Sequence, residues 1–132
     1  KVCQTGGFEV PESDFVCQDV VDYLRACEED FDLIVLDPPA FAKNRGMAQK
    51  AARAYKEINR QAMGLLAPHG LLLSCSCSRG MDRDLFHKVL FGAALDAGVT
   101  VRRIGEFGHP PDHPVSVYHP EGDYLKAILF TL

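Results

Sequence analysis

No run of this 132-residue chain stays apolar over the roughly 18 to 20 residues a membrane helix requires, so no membrane partner is expected. Its opening residues, Lys1-Val-Cys-Gln-Thr-Gly-Gly7, lack the charged start, apolar middle and small-residue cleavage site of a secretory signal. The chain also lacks an initiating methionine, which makes an excised fragment the expectation. Its five cysteines, Cys3, Cys17, Cys27, Cys75 and Cys77, are an odd set without the spacing of a disulfide framework or zinc ribbon. A reducing, cytoplasmic setting is expected on that ground, with Cys3, Cys17 and Cys27 read as small buried hydrophobes. The histidines are scattered, so no metal site is expected. Repeats and low-complexity tracts are absent. Net charge is −4, which weighs against nonspecific nucleic-acid binding by the whole surface.

What is present suits one globular domain. A hydrophobic share of 47% is enough for a sizeable core at this length. Phe15-Val-Cys-Gln18 has the composition of a short strand, and Asp19 stands where a helix N-cap belongs, ahead of Val20, Val21, Leu24 and Cys27. Phe31 to Leu36 is a near-continuous apolar run, expected as a parallel strand covered on both faces. Pro38-Pro39 must end it, because proline donates nothing to a ladder.

Ala51, Tyr55, Ile58, Ala62 and Leu65 recur at helical spacing, predicting a helix over Met47 to Leu66 that Pro68-His-Gly70 stops. Leu71 to Cys77 is the next strand. Asp82 caps a second long helix through Ala97, with Gly98 as its terminator. Thr100 to Phe107 and Tyr124 to Leu132 are strands separated by a long Pro/His-rich loop, Gly108 to Gly122. Loops of that length in compact domains usually carry a function. The alternation indicates an α/β fold with a mostly parallel sheet and an antiparallel last strand.

Two features carry chemistry. Asp37-Pro-Pro-Ala-Phe41 puts an acid and a stiff turn at the carboxyl end of one strand, and Ser76-Cys77-Ser78 puts a thiol at the end of another. Open α/β sheets place their ligands at that edge. Separately, Lys43 to Arg60 holds six basic residues against one acid, a strip able to track a phosphate backbone or simply to face solvent.

With Phe15-Val-Cys-Gln-Asp-Val20, Tyr55-Lys-Glu-Ile-Asn59, Asp84-Leu-Phe86, Asp112-His-Pro114 and Pro120-Glu-Gly-Asp-Tyr-Leu-Lys126 added, the ordered set covers nearly the whole chain. It resembles the carboxyl-terminal part of the bacterial 23S ribosomal RNA cytosine-5 methyltransferases, a family of class I S-adenosylmethionine-dependent enzymes. The resemblance implies a Rossmann-like sheet whose amino-terminal strands lie outside residues 1–132, and 23S rRNA as substrate. It implies Cys77 as the nucleophile that adds to carbon 6 of cytosine, so that carbon 5 can attack the cofactor's methyl. Asp37 would hold the ring nitrogen and amino group and also border the cofactor. Pro38, Pro39, Phe41 and Lys43 would shape the slot for the base, and Asp19 would meet the adenine of S-adenosylmethionine.

Each assignment has a plainer alternative. Asp19 is adequately explained as a cap, Phe41 as core, and Cys75 as packing. A second cysteine that related enzymes carry just after the diproline is Ala40 here, so another group must remove the carbon-5 proton. Asp112, His113 and Glu121 are the candidates. The family's cofactor glycine loop and amino-terminal RNA-binding domain are absent from the sequence, and Thr5-Gly-Gly7 has the wrong context for that loop. The chain alone is therefore expected to bind cofactor weakly or not at all and to be inactive. A sheet lacking strands favours pairing with another chain, and a homodimer is one form this would take. Three other readings are a guanine-N7 or amino-group rRNA methyltransferase without covalent catalysis, a noncatalytic RNA-binding or dimerisation fragment, and a small-molecule methyltransferase.

Overall fold

A computed structural model describes Gly7, residues 11–42 and residues 45–132, without the side chain of Arg45. Cys3, Thr5, Gly6 and Lys43 therefore lie outside the described residues. Four strands form one sheet: β1 (Phe31–Leu36), β2 (Leu66–Ser76), β3 (Arg102–Phe107) and β4 (Lys126–Thr131), in the order β1-β2-β4-β3. β1 and β2 are parallel, and β4 runs antiparallel to both β2 and β3. Three strands thus share a direction and the last one opposes them, as the missing helix between β3 and β4 requires.

Three helices are α1 (Val20–Ala26), α2 (Ala48–Gly64) and α3 (Arg83–Ala97). Asp19 caps α1 by accepting from the backbone N–H groups of Val21 and Asp22 at 2.9 and 3.2 Å. Asp82 caps α3 by accepting from Leu85 N–H at 2.8 Å. Gly98 ends α3 at φ +69, a left-handed conformation that glycine adopts without a Cβ penalty. One face of the sheet meets these helices. Leu72, Ile128 and Phe130 pack there with Tyr55 and Ile58 of α2 and with Phe86 and Leu90 of α3.

Several expectations need correction. Residues 15–18 form no strand, Phe15 and Cys17 are exposed, and no strand partner adjoins them among the described residues. Cys17 is therefore a surface thiol and Cys27 a half-buried one. β1 is covered on one face only, since Leu33 and Val35 remain 56% and 60% exposed. The register places Leu71, Leu73 and Leu129 on that same open face, outside the core.

β2 begins at Leu66, five residues earlier than expected, and runs through Pro68-His69-Gly70. A bulge accommodates them: Phe31 pairs with Leu66, but Leu33 already pairs with Leu71. Proline is tolerated where a ladder is interrupted. His69 takes φ +66 in the bulge. At Gly70 a Cβ would stand 2.8 Å from the Ala67 carbonyl oxygen and 3.0 Å from that of Phe31, so only glycine fits.

The basic strip is partly consumed internally. Lys56 pairs with Asp96 of α3 at 2.7 Å, and Arg60 pairs with Glu57 at 3.1 Å. Arg25 of α1 also reaches Glu57, at 3.3 Å. Hydrogen bonds from Arg60 first, then Gln61, with Arg25 adding, pull the Glu57 carboxyl down to about 2. Lys50 and Arg53 are exposed. No described helix is long and apolar enough to cross a membrane.

Candidate active site

The carboxyl ends of β1 and β2 are neighbours because the two strands pair in parallel, with Leu36 opposite Ser74. Residues just past the end of each strand are therefore delivered to one edge. Asp37, Pro38 and Pro39 from the first meet Cys77 from the second in a cleft of ≈ 640 Å³. The other wall comes from the long loop and the residues before β4: His109, Pro110, His113, Tyr124 and Leu125. Asp37 is exposed and Cys77 half-buried, so both can meet a ligand. The Cys77 thiol makes a long contact, 4.0 Å, to the Pro38 carbonyl oxygen.

A buried polar network fixes this spacing, and Ser78 is its centre. Its hydroxyl accepts from the Ala42 N–H at 3.1 Å and shares a 2.9 Å hydrogen bond with the Tyr55 hydroxyl. Its carbonyl accepts from the Lys126 ammonium at 2.8 Å, and its N–H donates to the Ser76 hydroxyl at 3.4 Å. The turn after β1, the end of β2, helix α2 and strand β4 are thereby tied to the residue beside Cys77. Buried polar groups are costly unless paired, so such a network holds its members to one arrangement.

Charge varies across the site. Burial, then the Asp37 carboxylate, then Cys77 push the Cys75 thiol up to about 11. Cys75 is therefore a neutral, buried thiol, as the packing role expected of it requires. Burial also pushes the Lys126 ammonium down, with Arg83 adding to the effect. A second hollow of ≈ 270 Å³ adjoins the cleft through Tyr124 and is bordered by Arg79, Arg83, Lys126, Asp82, Glu121 and Asp123.

Of the residues expected at the site, Asp37, Pro38, Pro39 and Cys77 come together. Phe41 instead packs edge-on to Tyr55, with ring centroids 4.8 Å apart, and does not line the cleft. Asp19 caps α1 and also lies outside the cleft lining. His109, Tyr124, Tyr55 and Lys126 are not singled out by residue chemistry. Their only sequence signal is the words Tyr55-Lys-Glu-Ile-Asn59 and Pro120 to Lys126, and His109 has none. Among the described residues, no three His, Cys, Asp or Glu side chains are placed to hold a metal ion.

No family model matches the chain. Ribosomal RNA large subunit methyltransferase I of Yersinia pseudotuberculosis serotype O:1b is 47% identical to it over 122 residues, 90% of this chain and 31% of that protein. The protein of the same name from Yersinia pestis bv. Antiqua matches equally. The chain thus spans about a third of the length of the curated relatives it matches. Among solved structures, a Streptococcus mutans protein described as a SAM-dependent methyltransferase superposes with a TM-score of 0.68 at 21% identity, covering 87% of this chain and 30% of that one. SMU.776, described as a methyltransferase and solved with SAH, superposes with a TM-score of 0.71 at 19% identity, covering 98% and 34%. The strand order, the antiparallel last strand and these relatives agree: the chain has the class I methyltransferase fold and is related over nine-tenths of its length to ribosomal RNA large subunit methyltransferase I.

Proposed function

We propose that this chain supplies the catalytic edge of a cytoplasmic S-adenosylmethionine-dependent methyltransferase acting on carbon 5 of a cytosine in 23S rRNA. The observation that carries the reading is the meeting of Asp37 and Cys77 in one cleft, at the ends of two parallel strands. Cytosine carbon 5 is a poor nucleophile. The Cys77 thiolate adds to carbon 6, and Asp37 holds the ring nitrogen and amino group as charge develops there. Pro38 and Pro39 form a flat, stiff wall against which a base can lie. A guanine nitrogen has its own lone pair and needs no such thiol.

The residues present fit one side of the cofactor. Asp19 would meet the adenine and Asp37 would border the reacting end, while residues 1–132 offer no glycine loop for the methionine side. When bound, the cofactor supplies an electrophilic sulfonium methyl. The name of the Yersinia relatives supports large-subunit rRNA as substrate.

The test uses the gene product carrying this chain at its full encoded length, with methyl-labelled cofactor and unmodified large-subunit RNA. Label is expected in 5-methylcytidine after digestion to nucleosides. Label in a methylguanosine, or none in RNA, would overturn the reading.

The open sheet face bearing Leu33 and Val35, together with the unpaired outer edge of β1 among the described residues, supports pairing of two copies. Sedimentation of the 132-residue chain at micromolar concentration is expected to report a dimer. A monomer there would rule the pairing out.

A further inference from the structure

The covalent route proposed above leaves one step without a residue. After methyl transfer, carbon 5 carries both its original hydrogen and the new methyl, and carbon 6 is bonded to Cys77. Release requires a base. It takes the carbon-5 proton, the electrons of that C–H bond form the C5=C6 double bond, and the C6–S bond breaks to return the Cys77 thiolate. The cofactor's sulfonium has by then given up its methyl, so nothing further is oxidised or reduced.

The cleft holds five titratable side chains: Asp37, Cys77, His109, His113 and Tyr124. Cys77 is bonded to the base at this stage, and Asp37 holds its opposite edge. Tyr124 is a phenol, which gives up rather than takes a proton. Its ring also lies edge-on to His109 at 4.8 Å and beneath the Arg79 guanidinium at 5.7 Å.

His109 is committed as well. Its Nε2 accepts the Leu125 N–H at 3.3 Å, so that nitrogen's lone pair is used and the proton of the neutral ring sits on Nδ1. His109 can donate into the cleft but has no free acceptor. The loop acids do not line the cleft: Asp112 borders a neighbouring hollow, and Glu121 and Asp123 border the one beside Arg79 and Lys126.

We propose that His113 is the catalytic base that removes the carbon-5 proton and releases the methylated cytosine from Cys77. Histidine is the side chain best suited to take and return a proton under ordinary conditions. The loop of residues 108–125 thus brings a proton acceptor to a nucleophile that β2 presents from the opposite wall.

The inference rests on the covalent reading, and the experiment separates the two. The full-length gene product is first challenged, in the presence of S-adenosylmethionine, with RNA containing 5-fluorocytidine, so that after methyl transfer carbon 5 carries fluorine and has no proton to lose. A detergent-stable adduct of the wild-type protein is required by the covalent reading and does not involve His113. His113→Gln is then given ordinary RNA and labelled cofactor. The expected result is methyl transfer in a single turnover at near wild-type rate, with a labelled protein–RNA adduct accumulating. Turnover should fall by about 10² to 10⁴-fold, and added imidazole should speed adduct release. His113→Ala should behave alike. Normal turnover without adduct in either variant would overturn the assignment. So would loss of methyl transfer itself in both, because His113 would then act before the step assigned to it.

Discussion

Cys77→Ala is expected to abolish methyl transfer, with a loss on the order of 10⁴-fold or more, because the covalent route proposed above has no other thiol in the cleft lining to activate carbon 5. Cys75→Ala should leave the rate near wild type, although the two thiols are only two positions apart. The contrast comes from their surroundings. Cys77 lies just past the end of β2, half-buried and lining the same cleft as Asp37. Cys75 is inside the strand, buried, and its thiol is pushed up to about 11. A raised thiol value keeps the unreactive protonated form present as pH rises through the neutral range and beyond. Iodoacetamide at about pH 8 should therefore modify Cys77 and the surface Cys17 in the folded protein while sparing Cys75. Peptide mass mapping reads this out, and modification of Cys75 ahead of Cys77 would reverse the assignment of nucleophile.

The second large effect is expected at Tyr55, whose side chain is wholly buried. Phe41 and Phe86 meet its ring edge-on at 4.8 and 5.6 Å, and its hydroxyl meets Ser78 at 2.9 Å. Tyr55→Ala removes the ring joining α2 to α3 and to the turn after β1, which should cost about 3 to 5 kcal/mol. Tyr55→Phe keeps the packing and removes one of the two bonds of the Ser78 hydroxyl, which retains the Ala42 N–H, for about 0.5 to 1.5 kcal/mol. Ser78→Ala should cost about 1 to 3 kcal/mol, since it also releases the Ala42 N–H. Because the two hydroxyls are partners, the double variant should be less destabilised than the sum of the singles. Denaturant melts of the four proteins measure this, and strict additivity would show that the hydrogen bond contributes nothing. Methyl transfer should also fall in Tyr55→Phe, since Ser78 sets the spacing between the diproline turn and Cys77.

Elements whose ends are marked by local chemistry were legible in the sequence. Asp82 and Gly98 bracket α3, and Phe31 to Leu36 is a strand with the bounds its apolar run indicates. Features decided by distant partners were not. Pro68-His69-Gly70 has the composition of a stop, yet the chain continues as strand because a bulge absorbs the proline. Phe15 to Gln18 has strand composition but no neighbour to pair with among the described residues. The apolar run of β1 points to cover on both faces, whereas Leu33 and Val35 are open.

The candidate site divides in the same way. Asp37 and Cys77 stand out because each lies just past a strand, and parallel pairing alone brings them together. Ser78, Tyr55 and Lys126 could not be linked from sequence, since their bonds span 23 and 48 positions. The choice of His113 over Asp112 needed the fold of the loop, because only His113 of the two borders the cleft that holds Cys77.

The position of β4 bears on the order in which the molecule is made. It is the last of the four strands along the chain yet sits inside the sheet, between β2 and β3. During vectorial synthesis β1 and β2 can pair through α2 as soon as they emerge. β3, made earlier than β4, has no partner among the described strands until residues 126–131 emerge. Lys126 arrives with that strand and brings the bond to Ser78. Domains assemble as their segments leave the ribosome, and pairings distant in sequence come late. The surroundings of Cys77 are therefore completed only when the fourth strand is translated. A nascent chain halted before it holds β2 with one side unpaired and the Ser78 carbonyl without the Lys126 ammonium.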